Sequence, residues 1–423
     1  MKNKNTSPWT WIPSLYFAQG IPYVVVATTF SLIMYKRLGI SNADAAMYTG
    51  WLYLPWVIKP FWSPFVDLLK TKRWWIVTMQ LLIGAGLAGV AFCIPLPYFL
   101  QTTLAILWLV AFSSATHDIA ADGFYMLALD QEKQSFFVGI RSTFYRISMI
   151  VGQGVLVMFA GYLEEKTGNI PLAWSLTFYL CTGLFIAFTV YHFFVLPKPK
   201  SDKPVQNKNI QTGFFSTFSS FFSKKEIGIS LSFILLYRLG EAQLIKLASP
   251  FLLDPRDIGG LELSTYQVGF AYGTVGVISL TIGGILGGIV ASKSGLKKWL
   301  WVMVFSMNAT NLAYVYMAFF QPENYFVICS LVGFEQFGYG FGFTAFMLYL
   351  IYISQGEHQT SHYAICTGFM ALGMMLPGMV AGWIQEAIGY SNFFIWVCIC
   401  TIPGFVLAYY LKIDANFGKK AQS

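Results

Sequence analysis

The sequence predicts an all-α membrane protein of twelve transmembrane helices, arranged as two six-helix bundles. Three observations lead there. The 423-residue chain is 56% hydrophobic and only 11% charged, against about 25% charged in an ordinary soluble domain. Apolar runs of the ~20 residues that a bilayer demands recur along its whole length. A polar, proline-rich stretch, LPKPKSDKPVQNKN from Leu196 to Asn209, interrupts them near the middle.

Taken in order, the spans fall at about 10–35, 45–66, 73–94, 100–129, 136–161, 172–195, 227–252, 264–291, 297–319, 325–353, 361–386 and 391–412. Residues 1–195 form an N-terminal bundle, 196–226 a cytoplasmic linker, and 227–423 a C-terminal bundle. Within the linker, Phe214, Phe215, Phe218, Phe221 and Phe222 recur at helical spacing ahead of Lys224 and Lys225, the pattern of an amphipathic helix lying on the inner leaflet. With the N-terminus inside, 19 of the 27 Lys and Arg residues fall in inner segments and four in outer ones. The positive-inside rule therefore places both termini in the cytoplasm. The remaining four, Lys59, Arg146, Arg238 and Lys246, lie within spans. The net charge of +8 sits in short loops, so it marks topology and not a nucleic-acid partner. MKNKNTSPWTW leads straight into a span too long for a signal-peptide core, so no cleaved leader is expected. The six cysteines all lie in apolar runs without metal-type spacing and read as buried thiols.

The halves are related to each other. Gly161–Gly168 reads GYLEEKTG and Gly382–Gly389 reads GWIQEAIG, each at the outer end of the fifth span of its half. Two parallel six-span repeats are characteristic of the major facilitator superfamily, which the chain resembles. The resemblance extends to the loop after the second span of each half, whose superfamily motif is Gly-x-x-x-Asp-Arg-x-Gly-Arg-Arg. Asp67 matches the acidic position of the first copy, with Ser63 in place of glycine. Gly288, Lys293, Gly295 and Lys297 fit the second, with Ser292 in place of the acid. The resemblance implies an inner-gate role for Asp67, Gly288, Lys293 and Gly295. Three further segments are similar to the AmpG-type muropeptide permeases and the related acetyl-CoA transporter family. They are KPFWSPFVD (Lys59–Asp67), SATHDIAADGFYM (Ser114–Met126) and GIRSTFYRISMIVG (Gly139–Gly152). SPFLLD (Ser249–Asp254) resembles the family's Thr-Pro-Phe-Leu-Leu-Asp.

Charges inside the spans are the candidate site. Asp118 and Asp122 are four apart and share a helix face. A carboxylate at the bilayer centre costs at least ~2.5 kcal/mol, so both need partners or protons. Counting about 1.5 Å per residue from Ser135, Arg146 comes level with them, and it is expected to pair with one. Lys59, on the second span, is expected to take the other. Either this network only fixes helix packing, or it gates alternating access, or one aspartate carries a coupled proton. His117 points about 100° from Asp118, so the two do not chelate a metal together. In the seventh span, Arg238 and Glu241 are three apart and able to neutralise each other, and Gly240 is expected to break the helix. Because the first span of each superfamily bundle lines the cavity, Tyr16, Gln19, Tyr23, Arg238, Glu241 and Gln243 are candidate lining residues. Lys246, nearer the outside, is placed to attract an acidic substrate. Glu335 and Gln336 occupy the tenth span, the counterpart of the fourth, and Glu335 has no adjacent base. Gly338, Gly340 and Gly342 there allow close packing and bending.

Proton-coupling or gating roles therefore fall to Asp118, Asp122, Arg146, Lys59, Glu241 and Glu335. Substrate binding falls to Tyr16, Gln19, Tyr23, His117, Arg238, Gln243, Lys246 and Gln336. No nucleotide-binding, nucleophile or metal motif is present, and no cofactor is expected. The family resemblance implies a proton-coupled importer of anhydromuropeptides, sugar-peptides bearing N-acetylglucosamine, working by alternating access as a monomer in the bacterial inner membrane. Another anionic amphiphile or an acyl-CoA-like metabolite stays open as substrate. A membrane-embedded enzyme using His117, Asp118 and Asp122 is the reading from another class, and the two-repeat organisation weighs against it.

Overall fold

The computed structural model describes residues 6–27, 29–129, 131–203, 218–355, 359–415 and 417–418, and their regular structure is entirely helical. In chain order the helices are α1 (Ile12–Ala27), α2 (Thr29–Arg37), α3 (Asn42–Trp51), α4 (Leu54–Leu69), α5 (Lys72–Cys93), α6 (Phe99–Ala128), α7 (Gln131–Ile150), α8 (Leu156–Thr167) and α9 (Ile170–Val195). They continue with α10 (Ile227–Leu236), α11 (Leu239–Leu253), α12 (Thr265–Val268), α13 (Val277–Ser294), α14 (Leu296–Ala309), α15 (Leu312–Phe320), α16 (Tyr325–Ser354), α17 (Gln359–Ile399) and α18 (Ile402–Tyr410). Short π segments, Val151–Val155 and Gly269–Gly276, precede α8 and α13.

Among the described residues, ten helical stretches are long and apolar enough to cross a membrane. One of them, His362–Tyr410, contains two spans, because the chain turns at Gly389 (φ 74°). The second span is split into α3 and α4, each short of that length. The architecture is therefore the twelve-span one that hydropathy predicts.

The chain forms two compact units, Met1–Gly39 with Ile58–Lys208, and Ile40–Val57 with Asn209–Ser423. In the first, Trp11, Ile12, Leu15 and Tyr16 pack on Ile119, Phe124 and Tyr125, with Trp11 edge-on to Phe124 at 5.3 Å. This core sets the foot of α1 against α6 and brings Tyr16 beside the span acids. Asp202 of the linker accepts hydrogen bonds from the backbone N–H groups of Lys72 (2.7 Å) and Arg73 (3.0 Å). It thereby caps the first turn of α5, where orphan N–H groups and the helix dipole favour an anion.

In the second unit, Phe233, Tyr237, Phe346 and Tyr349 form the aromatic centre, with Tyr237 and Phe346 stacked at 5.3 Å. The α16 glycines serve close approach: a Cβ on Gly340 would come 2.0 Å from the Leu280 carbonyl oxygen, and α16 runs unbroken. The expected break at Gly240 falls earlier, at Tyr237–Arg238, between α10 and α11. Gly240 instead lets α11 approach Val397, whose carbonyl oxygen lies 2.7 Å from a Cβ placed there. The expected surface helix of the linker also differs. Phe214 and Phe215 lie outside the described residues, and residues 218–222 are helical. Phe221 is buried in the second unit's core against the His362 ring, and Ser220 Oγ lies 2.9 Å from His362 Nε2. Lys224 Nζ donates to the Ile353 and Gln355 carbonyls at the end of α16. The segment is docked onto protein, because Phe221 finds an apolar socket there.

The repeated Gly-to-Gly motif has a structural cause in both copies. Gly168 (φ 63°) and Gly389 (φ 74°) both turn the chain through left-handed backbone at the end of the motif, a region costly to residues with a Cβ. The acids and amide before them anchor neighbouring helix ends. Glu164 accepts from Arg37 Nε and from Trp174 Nε1. Gln385 Oε1 accepts from Asn42 Nδ2 (2.8 Å), and Glu386 Oε1 from the Ala43 N–H (2.9 Å). Asn42 Nδ2 also faces Asp254 Oδ2 (3.2 Å) and Tyr390 Oη (2.8 Å), while Tyr390 Oη donates to Asp254 (2.6 Å). The final residue of SPFLLD thus holds α3 in place. Substituting Gly168→Ala or Gly389→Ala is expected to destabilise the protein by about 1–2 kcal/mol each. Thermal unfolding in detergent reads this directly. Gly183→Ala, at an open helical position, should instead hold or raise the transition.

Candidate functional site

The first unit balances its span acids with cations. Asp118 lies 3.8 Å from Lys59 Nζ, as the sequence predicts. Asp122 pairs with Arg141, at 3.3 Å. Tyr16 Oη donates to Asp122 (3.2 Å) and accepts from Arg141 (2.9 Å), closing a three-membered cycle. The Arg141 guanidinium stacks over the rings of Tyr16 and Tyr125, each at 5.0 Å. The cycle ties α1, α6 and α7 together through charge-assisted hydrogen bonds.

The pairing expected of Arg146 therefore belongs to Arg141. The reason is where α7 begins: at Gln131, four residues before the start assumed from hydropathy. Each residue on it stands about 6 Å farther from the α6–α7 turn than that count gives. Arg141 reaches the level of Asp122, and Arg146 passes it. Arg146 is half-buried and forms no ion pair with a described carboxylate.

His117 is fully buried and turned away from the aspartates' cations. Its Nε2 lies 3.0 Å from Gln80 Nε2, Gln80 Oε1 lies 2.9 Å from His192 Nδ1, and His192 Nε2 lies 3.0 Å from Ser14 Oγ. This chain crosses from α6 through α5 and α9 to α1. It occupies His117 in helix packing, which corrects the expectation of a substrate contact. Gln80 and His192 were not singled out from sequence, since lone polar residues in separate apolar runs carry no pattern. Of the other expected contacts in this unit, Gln19 is buried and its Oε1 has no hydrogen-bond partner among the described residues. Tyr23 is half-buried.

The second unit handles its charges differently. Arg238 makes no hydrogen bond to Glu241. Its guanidinium donates to Tyr339 Oη and lies over the rings of Tyr339 (5.3 Å) and Phe343 (4.8 Å), and its Nε is without a partner among the described residues. Glu241 is 2% exposed, and neither carboxylate oxygen accepts a hydrogen bond from a described residue. Glu335 is 0% exposed and accepts one hydrogen bond, from Gln336 Nε2 at 2.9 Å. Gln243 is tied to Trp396 Nε1 (2.9 Å), the Leu239 carbonyl and Cys400 Sγ. Lys246 is buried, donating to Thr49 Oγ1 (2.9 Å) under the Tyr53 ring. It is thus a link between α11 and α3, not an outward lure for acidic substrate. In the gate motif, Gly295 (φ 87°) joins α13 to α14, Lys293 lies in the last turn of α13, and nothing lies within 4 Å of a Cβ built on Gly288. The Asp67 side chain lies outside the described residues.

A family model, "Major Facilitator Superfamily", matches residues 14–355. The chain belongs to the major facilitator superfamily. The resemblance to AmpG-type permeases holds along nearly the whole of this superfamily member. The anhydromuropeptide permease of Escherichia coli (strain K12) is 25% identical over 416 residues, covering 95% of this chain and 81% of that one. Putative transporter AmpG 4 of Rickettsia felis is 27% identical over 418 residues, covering 95% and 96%. Among solved structures, the nucleoside transporter NupG superposes with a TM-score of 0.72 at 16% identity, covering 95% of this chain and 98% of that one. A D-xylose-proton symporter gives 0.69 at 12%, covering 97% and 98%. These likenesses establish the fold, and with the family match they make the protein a multi-pass membrane transporter and not an enzyme.

A double-mutant cycle checks the corrected pairing. Asp122→Asn and Arg141→Ala should show a coupling of about 1 kcal/mol, modest because both groups are partly exposed. Asp122→Asn and Arg146→Ala should be additive within about 0.5 kcal/mol. Unfolding in detergent measures both.

Proposed function

We propose that this protein is a proton-coupled secondary transporter that imports anhydromuropeptides. It works by alternating access, as a monomer in the bacterial inner membrane with both termini in the cytoplasm. The observation that carries the substrate class is the likeness to the anhydromuropeptide permease over 95% of the chain. It is supported by the segments around Lys59, Asp118 and Arg141 that resemble the same family.

In this reading the first unit's charges form the gating network. Lys59–Asp118 and Tyr16–Asp122–Arg141 hold one arrangement of α1, α4, α6 and α7. Ion pairs are discrete contacts, made or broken, and so suit a two-state element. Arg146, a half-buried cation without a carboxylate partner among the described residues, is the group that meets an anionic substrate, with Gln19 and Tyr23 on α1. Arg238 and Gln336 play that part in the second unit. Asp67, Gly288, Lys293 and Gly295 act at the inner gate.

The test is uptake of labelled N-acetylglucosaminyl-anhydromuropeptide into proteoliposomes, with and without an inward proton gradient. Accumulation several-fold above equilibrium under the gradient, collapsing with an ionophore, is the expected result. Equal uptake without a gradient would refute coupling. Accumulation of a different anion in place of any muropeptide would refute the substrate.

A further inference from the structure

Three helix ends of the second unit meet around a pocket that the transport reading does not use. The start of α10, the end of α16 and the end of α18 enclose about 250 Å³. The lining carries two cations, Lys225 and Lys412, one acid, Glu226, and the hydroxyl residues Ser230 and Tyr349. We propose that this pocket binds the phosphate of an anionic membrane lipid, with Lys225 and Lys412 meeting its charge and the Ser230–Tyr349 pair donating a hydrogen bond to it. The inference goes beyond the transport reading and rests on it only for the side of the membrane: with both termini cytoplasmic, these helix ends lie at the inner leaflet.

Hydrogen-bond accounting is the first support. Ser230 and Tyr349 are each 3% exposed, and their hydroxyl oxygens lie 2.7 Å apart. Two hydroxyls carry two protons, and the bond between them uses one. The other proton has no acceptor among the described residues. A buried donor is costly unless an oxygen accepts from it, and both residues line the pocket.

The surrounding charges favour an anion. Lys225, Lys412 and Glu226 together leave one positive charge on the lining. Lys412 pairs with Glu226, but an ammonium has three N–H groups, so it keeps that pair and still donates to a phosphate oxygen. Lys224, next in the chain, is turned to the Ile353 and Gln355 carbonyls. The start of α10 adds to the field. Glu226, its N-cap residue, makes no side-chain cap, and the N–H groups and dipole at a helix start attract negative charge.

Placement selects the membrane as the source of the phosphate. Ile229, Ile353 and Leu411 give the pocket an apolar wall beside its charges. Tyr409 and Tyr410, 73% and 55% exposed, stand at the same end of α18, the interfacial level that tyrosine favours in a bilayer. A lipid brings a phosphate to that level and methylenes to the apolar wall. Basic pockets between helix ends on the inner side hold anionic headgroups in this way. A soluble phosphate uses the charges and leaves the apolar wall in water.

The test is native mass spectrometry of the purified full-length protein in detergent, titrated with phosphatidylglycerol, phosphatidylcholine or inorganic phosphate. Phosphatidylglycerol should bind about fivefold more tightly than phosphatidylcholine, and inorganic phosphate should not displace it. Lys225→Gln/Lys412→Gln should weaken phosphatidylglycerol binding by about tenfold or more. Ser230→Ala/Tyr349→Phe, which keeps the ring, should weaken it by about threefold. Glu226→Gln should strengthen it, a change of sign that poor folding does not produce. Lys297→Gln/Lys298→Gln, which removes two exposed lysines at the start of α14, should leave it unchanged. Equal binding of the two lipids, or full retention of phosphatidylglycerol by either of the first two double variants, overturns the site. Displacement by inorganic phosphate overturns the membrane as its source. A wild type that accumulates no muropeptide overturns the transport reading alone, because none of these lipid measurements depends on uptake.

Discussion

Hydrocarbon offers an ionised carboxylate nothing to bond with, and this constraint organises the protein's interior. A buried acid has two inexpensive states, paired or neutral. The first unit uses pairing: Lys59 with Asp118, and Arg141 with Asp122 through Tyr16. The second buries Glu241 and Glu335 with no ion-pair partner among the described residues. Two homologous halves thus meet the same constraint in opposite ways. One half ties its span acids to cations, and the other buries acids that no described cation contacts.

Packing makes both solutions hold. Tyr16 reaches Asp122 because Trp11, Ile12 and Leu15 fix the foot of α1 on Ile119 and Phe124. Glu335 stays dry because glycines let α16 lie against its neighbours with backbone almost touching, as at Gly340 and Leu280. Main-chain polar groups are satisfied within each helix, as a lipid environment requires. At several helix starts N–H groups are met by side chains, among them Thr71, Asn169, Asp202 and Ser264.

Much of this was legible in the residues. The spans follow from hydropathy, and the repeat is visible because the last glycine of each copy takes a positive φ that other residues avoid. Asp118 and Asp122 stand out as acids in an apolar run. Their partners were half legible. Lys59 was found, but Arg141 and Arg146 sit five apart on one helix, and choosing between them turns on the single helical turn by which α7 starts early. Gln80 with His192, and Asn42 with Gln385, could not be read, since 112 and 343 residues separate them. The burial of Lys246 was equally hidden, because its partner Thr49 belongs to α3, 197 residues earlier.

The separation between Asn42 and Gln385 bears on how the chain is made. The helix α3 is synthesised early, yet the groups that hold its first turn, Asp254, Gln385, Glu386 and Tyr390, emerge hundreds of residues later. At a translation rate of about 5–20 residues per second, the gap between Asn42 and Gln385 lasts roughly 17–70 s. Asp254 emerges 212 residues after Asn42, and until then none of these partners of the Asn42 amide exists. The first turn of α3 is therefore packed only late in synthesis, long after α4 has been made. A nascent chain arrested short of residue 385 would present that first turn to chaperones and membrane proteases.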